Sequence, residues 1–158
     1  MAKSVLVISN NQIEHQISYN GLDIEHREFS EDFNNENTAI FDYACFLASG
    51  FDFVDSQCLD RAVSMLNTLP LFSALYSDLI ISDELGFNLY RPQPSYKLGI
   101  TLNCPFLIRS HTPVKFDHSK EHLLLNSGLQ YIIQSSMLYH HPEPLFEIKY
   151  AKSSSLSQ

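Results

Sequence analysis

The chain has 158 residues, 44% hydrophobic and 18% charged, a size and balance that fit one folded domain with a single core and exclude an intrinsically disordered chain. The formal charge is -8 and the ten lysines and arginines are scattered singly, so no basic stripe is present to neutralise a nucleic-acid backbone. No apolar run approaches membrane-helix length and the first residues lack a signal-peptide layout. The expectation is a cytoplasmic protein, or one assembled into a virion inside a cell, with neither membrane nor nucleic acid as partner.

Residues 4–9 (SVLVIS) are a continuous apolar run, rich in β-branched residues and stopped by Asn10 and Asn11, which predicts a strand buried on both faces. Tyr19-Asn20-Gly21 signals a turn, and 22–29 (LDIEHREF) alternates apolar and polar as a half-exposed strand does. The acidic, Asn-rich stretch 30–37 reads as a loop or a ragged helix start. Residues 39–47 (AIFDYACFL) place a central strand over their second half, ending at Ala48-Ser49-Gly50, where glycine permits a sharp turn.

Asp55 is positioned to cap a helix over 56–67, because Leu59, Ala62, Val63 and Leu66 recur at helical spacing and Pro70 lies shortly beyond. Residues 73–82 (SALYSDLIIS) predict a second central strand, followed by the turn Asp83-Glu84-Leu85-Gly86 and an irregular loop around Pro92 and Pro94. In 104–109 (CPFLIR), Pro105 suggests a short strand at an edge or at its own first residue. Ser119 caps a helix through Leu123, Leu124 and Leu125 that ends at Gly128 as a C′ residue. Residues 129–139 alternate poorly, and His140-His141-Pro142-Glu143-Pro144 ends them. The fold class expected is α/β, a single domain over 1–150 with a mixed sheet flanked by helices. Residues 151–158 form a polar tail with no core-forming pattern.

Cys45, Cys58 and Cys104 are odd in number, without CxxC spacing, and read as buried free thiols. Seven histidines invite a metal reading, but His140 and His141 are adjacent and would face opposite ways on a strand, and His111, His118 and His122 are spaced like loop and helix-start residues. Ser49 follows a strand yet lacks the preceding glycine of a nucleophile elbow.

Several fragments carry a resemblance by their shared order: Tyr43 to Leu47 (YACFL), Asp55 to Leu66 (DSQCLDRAVSML), Tyr76-Ser77-Asp78, Asn103-Cys104-Pro105-Phe106 with Arg109, Glu121-His122-Leu123-Leu124-Leu125, and His141-Pro142-Glu143-Pro144-Leu145. Over residues 37–146 the chain resembles the second half of family-2 glycosyltransferases, which implies a truncated GT-A-like fold. In active members of that family a strand ends in Asp-x-Asp, whose carboxylates hold Mn or Mg against the diphosphate of a nucleotide sugar. The matching positions here are Ala48, Ser49 and Gly50, which supply no anionic oxygen.

A register shift would offer Asp52 or Asp55 instead, with Asp83 a further candidate. The simpler reading makes Asp55 a helix cap and Asp52 a solvated loop acid. The resemblance also places a catalytic base near Glu121 and His122, although Glu121 equally suits the positive end of a helix dipole. Residues 10–21 look too few for a full βαβ crossover, so the nucleotide pocket is expected to be curtailed.

Together these readings point to a non-catalytic glycosyltransferase-like domain with a degenerate active site and no cofactor. Its expected role is a structural or assembly component held by protein partners in a larger complex, such as a virus particle. One alternative is a small active nucleotide-sugar transferase with a displaced metal site. The other is a carbohydrate-binding module using Tyr90, Tyr96 and Phe106.

Overall fold

In the computed structural model, residues 3–9, 21–29, 38–48, 50–92, 104–119 and 124–149 are described. The apolar runs become strands β1 (Lys3–Ile8), β2 (Leu22–Arg27), β3 (Tyr43–Phe46), β4 (Phe51–Phe53), β5 (Ala74–Asp83), β6 (Gly86–Tyr90), β7 (Phe106–Arg109) and β8 (Leu138–Lys149). Two helices accompany them, α1 (Cys58–Asn67) and α2 (Leu124–Ser135). One mixed sheet runs β2-β1-β3-β7-β5-β8-β4, with β6 paired to β5 as a hairpin. Strand β1 is parallel to β2 and β3, β5 is parallel to β8, and β7 is antiparallel to both its neighbours. The expected α/β class with a mixed sheet is therefore the one observed. No helix among the described residues is long and apolar enough to cross a membrane.

Continuous apolar strands belong in the middle of a sheet, covered on both faces. Val5 to Ile8 on β1 and all four residues of β3 are buried. On one face Phe46 stacks on Phe106 with ring centroids 4.9 Å apart, and Phe29 and Phe116 meet them edge-on or tilted. Helix α1 buries Cys58, Leu59, Ala62, Val63 and Leu66, the stripe its spacing predicts. Its last-turn carbonyls lack intrahelical donors. Arg109 reaches this end from β7, donating from Nη2 to the Leu66 oxygen at 2.5 Å and, just beyond the helix, to the Leu69 oxygen at 3.1 Å. All three cysteines are buried and free, and burial pushes each thiol up, Cys58 to about 11.

Several expectations need correction. Strands β1 and β2 pair in parallel, Lys3 with Leu22 through Ile8 with Arg27, and the interval between them, read as too short for a full βαβ unit, lies mostly outside the described residues. Strand β4 occupies a stretch read as loop, with Phe51 and Phe53 buried on one side of Asp52. Asp55 is not the N-cap: Gln57 holds that position and α1 starts at Cys58, while Asp55 accepts the Gln57 N–H at 2.8 Å. Strand β7 lies between β3 and β5 rather than at an edge, and Pro105 just precedes it, where a missing donor costs no ladder bond.

Gly128 does not end a helix. It sits inside α2 because an added Cβ would lie 2.5 Å from Phe116 Cε1. The apolar residues after it continue the helix to Ser135. Nor do His140 to Pro144 terminate the last strand. Its register with β5 passes from Ser77↔His141 directly to Leu79↔Phe146, so Pro142 and Pro144 fall in a bulge where the ladder asks them for no donor.

Candidate functional site at the carboxyl ends of the central strands

Pairing across β7 sets the levels of the sheet. Ala44 and Ala74 both face Ile108, and Cys45 and Leu75 both face Leu107. Three residues further along two strands that run the same way, Ala48 and Asp78 reach the same height. For β3 this height lies just beyond the carboxyl end, where open α/β sheets place their ligands, while β5 runs on past it to Asp83.

Ala48 is a buried apolar residue there, whereas Asp78 is a carboxylate only 7% exposed. A buried carboxylate is tolerated only with partners. The Asp78 Oδ1 atom has two: His140 Nε2 at 2.6 Å and Arg91 Nε at 3.3 Å. The Tyr76 ring lies against the His140 ring at 5.0 Å, and burial pushes its phenol up.

The bulge makes this arrangement. Between Ser77 and Leu79 the β8 ladder skips, leaving Asp78 without an opposite residue. Ser77 closes the gap on the backbone side, its Oγ donating to the Asp78 oxygen at 2.8 Å and accepting the Leu145 N–H at 3.2 Å. A carboxylate holding one imidazole nitrogen orients the ring and leaves the other nitrogen to a ligand hydroxyl or a proton. Arg91, 64% exposed, brings a cation to the mouth of the cluster.

His141 faces the other way, as adjacent strand residues must. It is buried against the α1 side, and neither ring nitrogen has a hydrogen-bond partner among the described residues. Its Nε2 lies 4.0 Å from Glu143 Oε2. Burial holds its pKa below the usual histidine value. The neighbouring Arg61 directs Nη1 and Nη2 to Asp55, at 3.3 Å to Oδ1 and 3.1 Å to Oδ2.

The other candidates are distributed as follows. Gly50 takes φ +84°, a turn conformation that favours glycine, and a Cβ there would meet Ile148 Cδ1 at 3.2 Å. The carbonyl of Ala48 accepts the Phe51 N–H at 3.1 Å, and Ser49 lies outside the described residues. Asp52 stands on β4 opposite Glu147, its Oδ1 accepting the Phe53 N–H at 2.7 Å. Asp55 is held below its ordinary pKa: burial opposes this, but the Arg61 guanidinium and the Gln57 N–H outweigh it.

Asp83 folds the β5–β6 turn by accepting the Leu85 N–H at 2.7 Å. No three His, Cys, Asp or Glu side chains among the described residues form a group that could hold a metal ion. Tyr90 is half-buried at the end of β6. Phe106 cannot present a ring to a sugar, because it is 0% exposed and stacked in the core. Tyr96, Glu121 and His122 lie outside the described residues.

Sequence reasoning quoted Tyr76-Ser77-Asp78 but gave Asp78 no role, and it missed Arg91 and the pairing with His140. Two signals pointed there: an acid inside an apolar strand, and two prolines two apart in the strand that closes the sheet.

No family model and no curated protein matches this chain. Among solved structures, it is similar to the crystal structure of S. aureus TarS, a glycosyltransferase, at 11% identity and a TM-score of 0.48. The match covers 95% of this chain and 37% of that chain, so the chain spans little more than a third of the length of TarS.

Proposed function

We propose that this chain is a glycosyltransferase-like domain that does not carry out metal-dependent sugar transfer and serves as a structural or assembly component of a larger protein complex, a virus particle being one such setting. The observation that carries the reading is the state of the acids around the end of β3. Ala48 and Gly50 offer no carboxylate, and Asp55 is engaged by Arg61 and a backbone N–H. A cation bridging a diphosphate needs anionic oxygens free to coordinate it.

A second support is the β5–β6 hairpin, where Leu85, Phe87 and Leu89 are 87%, 69% and 63% exposed. Exposed apolar residues gathered in one element mark a contact surface. Titration calorimetry with a nucleoside diphosphate and Mn²⁺ tests the reading alongside pull-down from the native host. Expected are no saturable Mn²⁺-dependent heat and a co-purifying protein assembly. Sugar transfer that disappears in Asp52→Asn, Asp55→Asn or Asp83→Asn would overturn it in favour of a displaced metal site.

One observation favours a second reading, a ligand-binding domain. The Asp78, His140 and Arg91 cluster stands at the bulge between β5 and β8 with a cation and an oriented imidazole. Binding to a glycan array, weakened by His140→Ala and unchanged by Asp83→Asn, would support it.

A further inference from the structure

We infer that the outer edge of β6 pairs with the β6 edge of a second copy of this chain, antiparallel, about a two-fold axis through Asn88. Strand β6 pairs with β5 on one side, and no strand among the described residues pairs with its other side. An open edge presents unpaired N–H and C=O groups to any chain that approaches. Natural sheets blunt such edges with proline, lysine or a bulge. The β6 sequence, Gly-Phe-Asn-Leu-Tyr, has none of these.

Self-pairing explains both the apolar and the charged residues of the hairpin. Antiparallel pairing about Asn88 sets Phe87 of each copy beside Leu89 of the other, covering the exposed side chains on one face of the joined sheet. Residues 85 and 91 then become neighbours across the axis. The exposed Arg91 of each copy, whose Nε is held by Asp78 and whose outer guanidinium nitrogens carry the rest of the charge, therefore arrives at the partner's β5–β6 turn, which carries Asp83 and Glu84. Cation meets acid at both ends of a single register. The chain's charge of -8 opposes unspecific self-association, so only a register that pairs opposite charges gains from contact. Five residues of strand make a small contact beside the roughly 1,200–2,000 Å² of stable interfaces, and the dimer is accordingly concentration-dependent.

This inference rests on the assembly reading only in naming one partner, and its test separates the two. The native thiols Cys45, Cys58 and Cys104 are buried with raised pKa values, so a thiol placed on the surface reacts alone. At the axis, Asn88→Cys brings two sulfurs together, since opposite Cα atoms of an antiparallel pair lie about 4.5–5.5 Å apart, within disulfide reach. Ile40, 78% exposed, provides the control as Ile40→Cys.

Under mild oxidation, Asn88→Cys should form covalent dimer about tenfold or more faster than Ile40→Cys, the gain expected of a pre-formed encounter. Adding Leu89→Lys should abolish the advantage. In sedimentation, Arg91→Glu should weaken the dimer, and Arg91→Glu combined with Glu84→Lys should restore part of it. Equal rates for the two cysteine variants would overturn the edge pairing even if pull-down still finds another protein. Metal-dependent sugar transfer by a chain that cross-links at Asn88→Cys would instead overturn the assembly reading and leave the dimer standing.

Discussion

The half of the sheet built on β1, β3 and β7 and the seam between β5 and β8 solve the same burial problem with opposite chemistry. In the first, Phe29, Phe46, Phe106 and Phe116 fill the space with rings, and the polar side chains around them, Arg109, Thr112 and Asn126, bond to backbone groups. In the second, Asp78, His140, Ser77 and His141 sit in the middle of two long strands, and the ladder skips to accommodate them. An apolar core is stabilised by volume and tolerates no gap. A polar seam is stabilised by matched partners and fails when one is removed. The difference marks the seam as the place where the fold has given up packing for chemistry.

The comparison can be broken most severely in the aromatic half. Phe106→Ala should cost about 3–5 kcal/mol in urea unfolding, the usual loss for a large ring in a core. A smaller effect would mean that Phe116 collapses into the space. At the seam, Asp78→Asn keeps the shape and removes the charge. It should cost about 1.5–3 kcal/mol, the scale of a hydrogen bond to an ionised group, and should largely vanish in a His140→Ala, Arg91→Ala background.

Gly128→Ala tests the rings from the helix side. In an ordinary helix interior that change gains up to about 1 kcal/mol. Here the added methyl meets Phe116, so a loss of about 1–3 kcal/mol from overpacking is expected.

His141 sharpens the contrast through pH. Burial lowers its folded-state pKa, so the folded chain prefers the neutral ring while the unfolded chain protonates at its ordinary value of about 6.5. The contribution is fully present above that value and is lost as pH falls below it, until the folded ring also protonates. The charges that act on it are those of Glu143 and Arg61 and, from the opposite face, His140 and Asp78. Stability measured from pH 7 to pH 5 should fall less steeply in His141→Leu than in the parent chain.

The smallest effect belongs to a surface acid. Asp55→Ala removes a half-exposed ion pair and one N–H acceptor, and should cost about 0.5–1 kcal/mol.

What could be read from the residues follows the same division. The strands at 4–9 and 43–47 and the helix stripe at Leu59, Ala62, Val63 and Leu66 were legible because local periodicity alone decides them. Gly128 misled because a glycine near a run of leucines looks like a helix end, and only the distant Phe116 explains it. Strands β4 and β6 are three and five residues long, too short to carry a period. The site itself was least legible. Asp78 and His140 are 62 residues apart, and what joins them is a register between two strands. No window of sequence contains that register.

The bulge has a consequence for length. It divides β8 into two short strands, each with its own fixed alignment to β5. Residues 142–145 lie between those alignments and belong to neither. One residue more or fewer there would change the size of an arch and leave every pair on both sides where it is. Along the rest of β8 the same change would turn each inward side chain outward. The strand that closes the sheet thus contains one short interval in which the chain can be lengthened without being re-threaded, directly over the buried carboxylate.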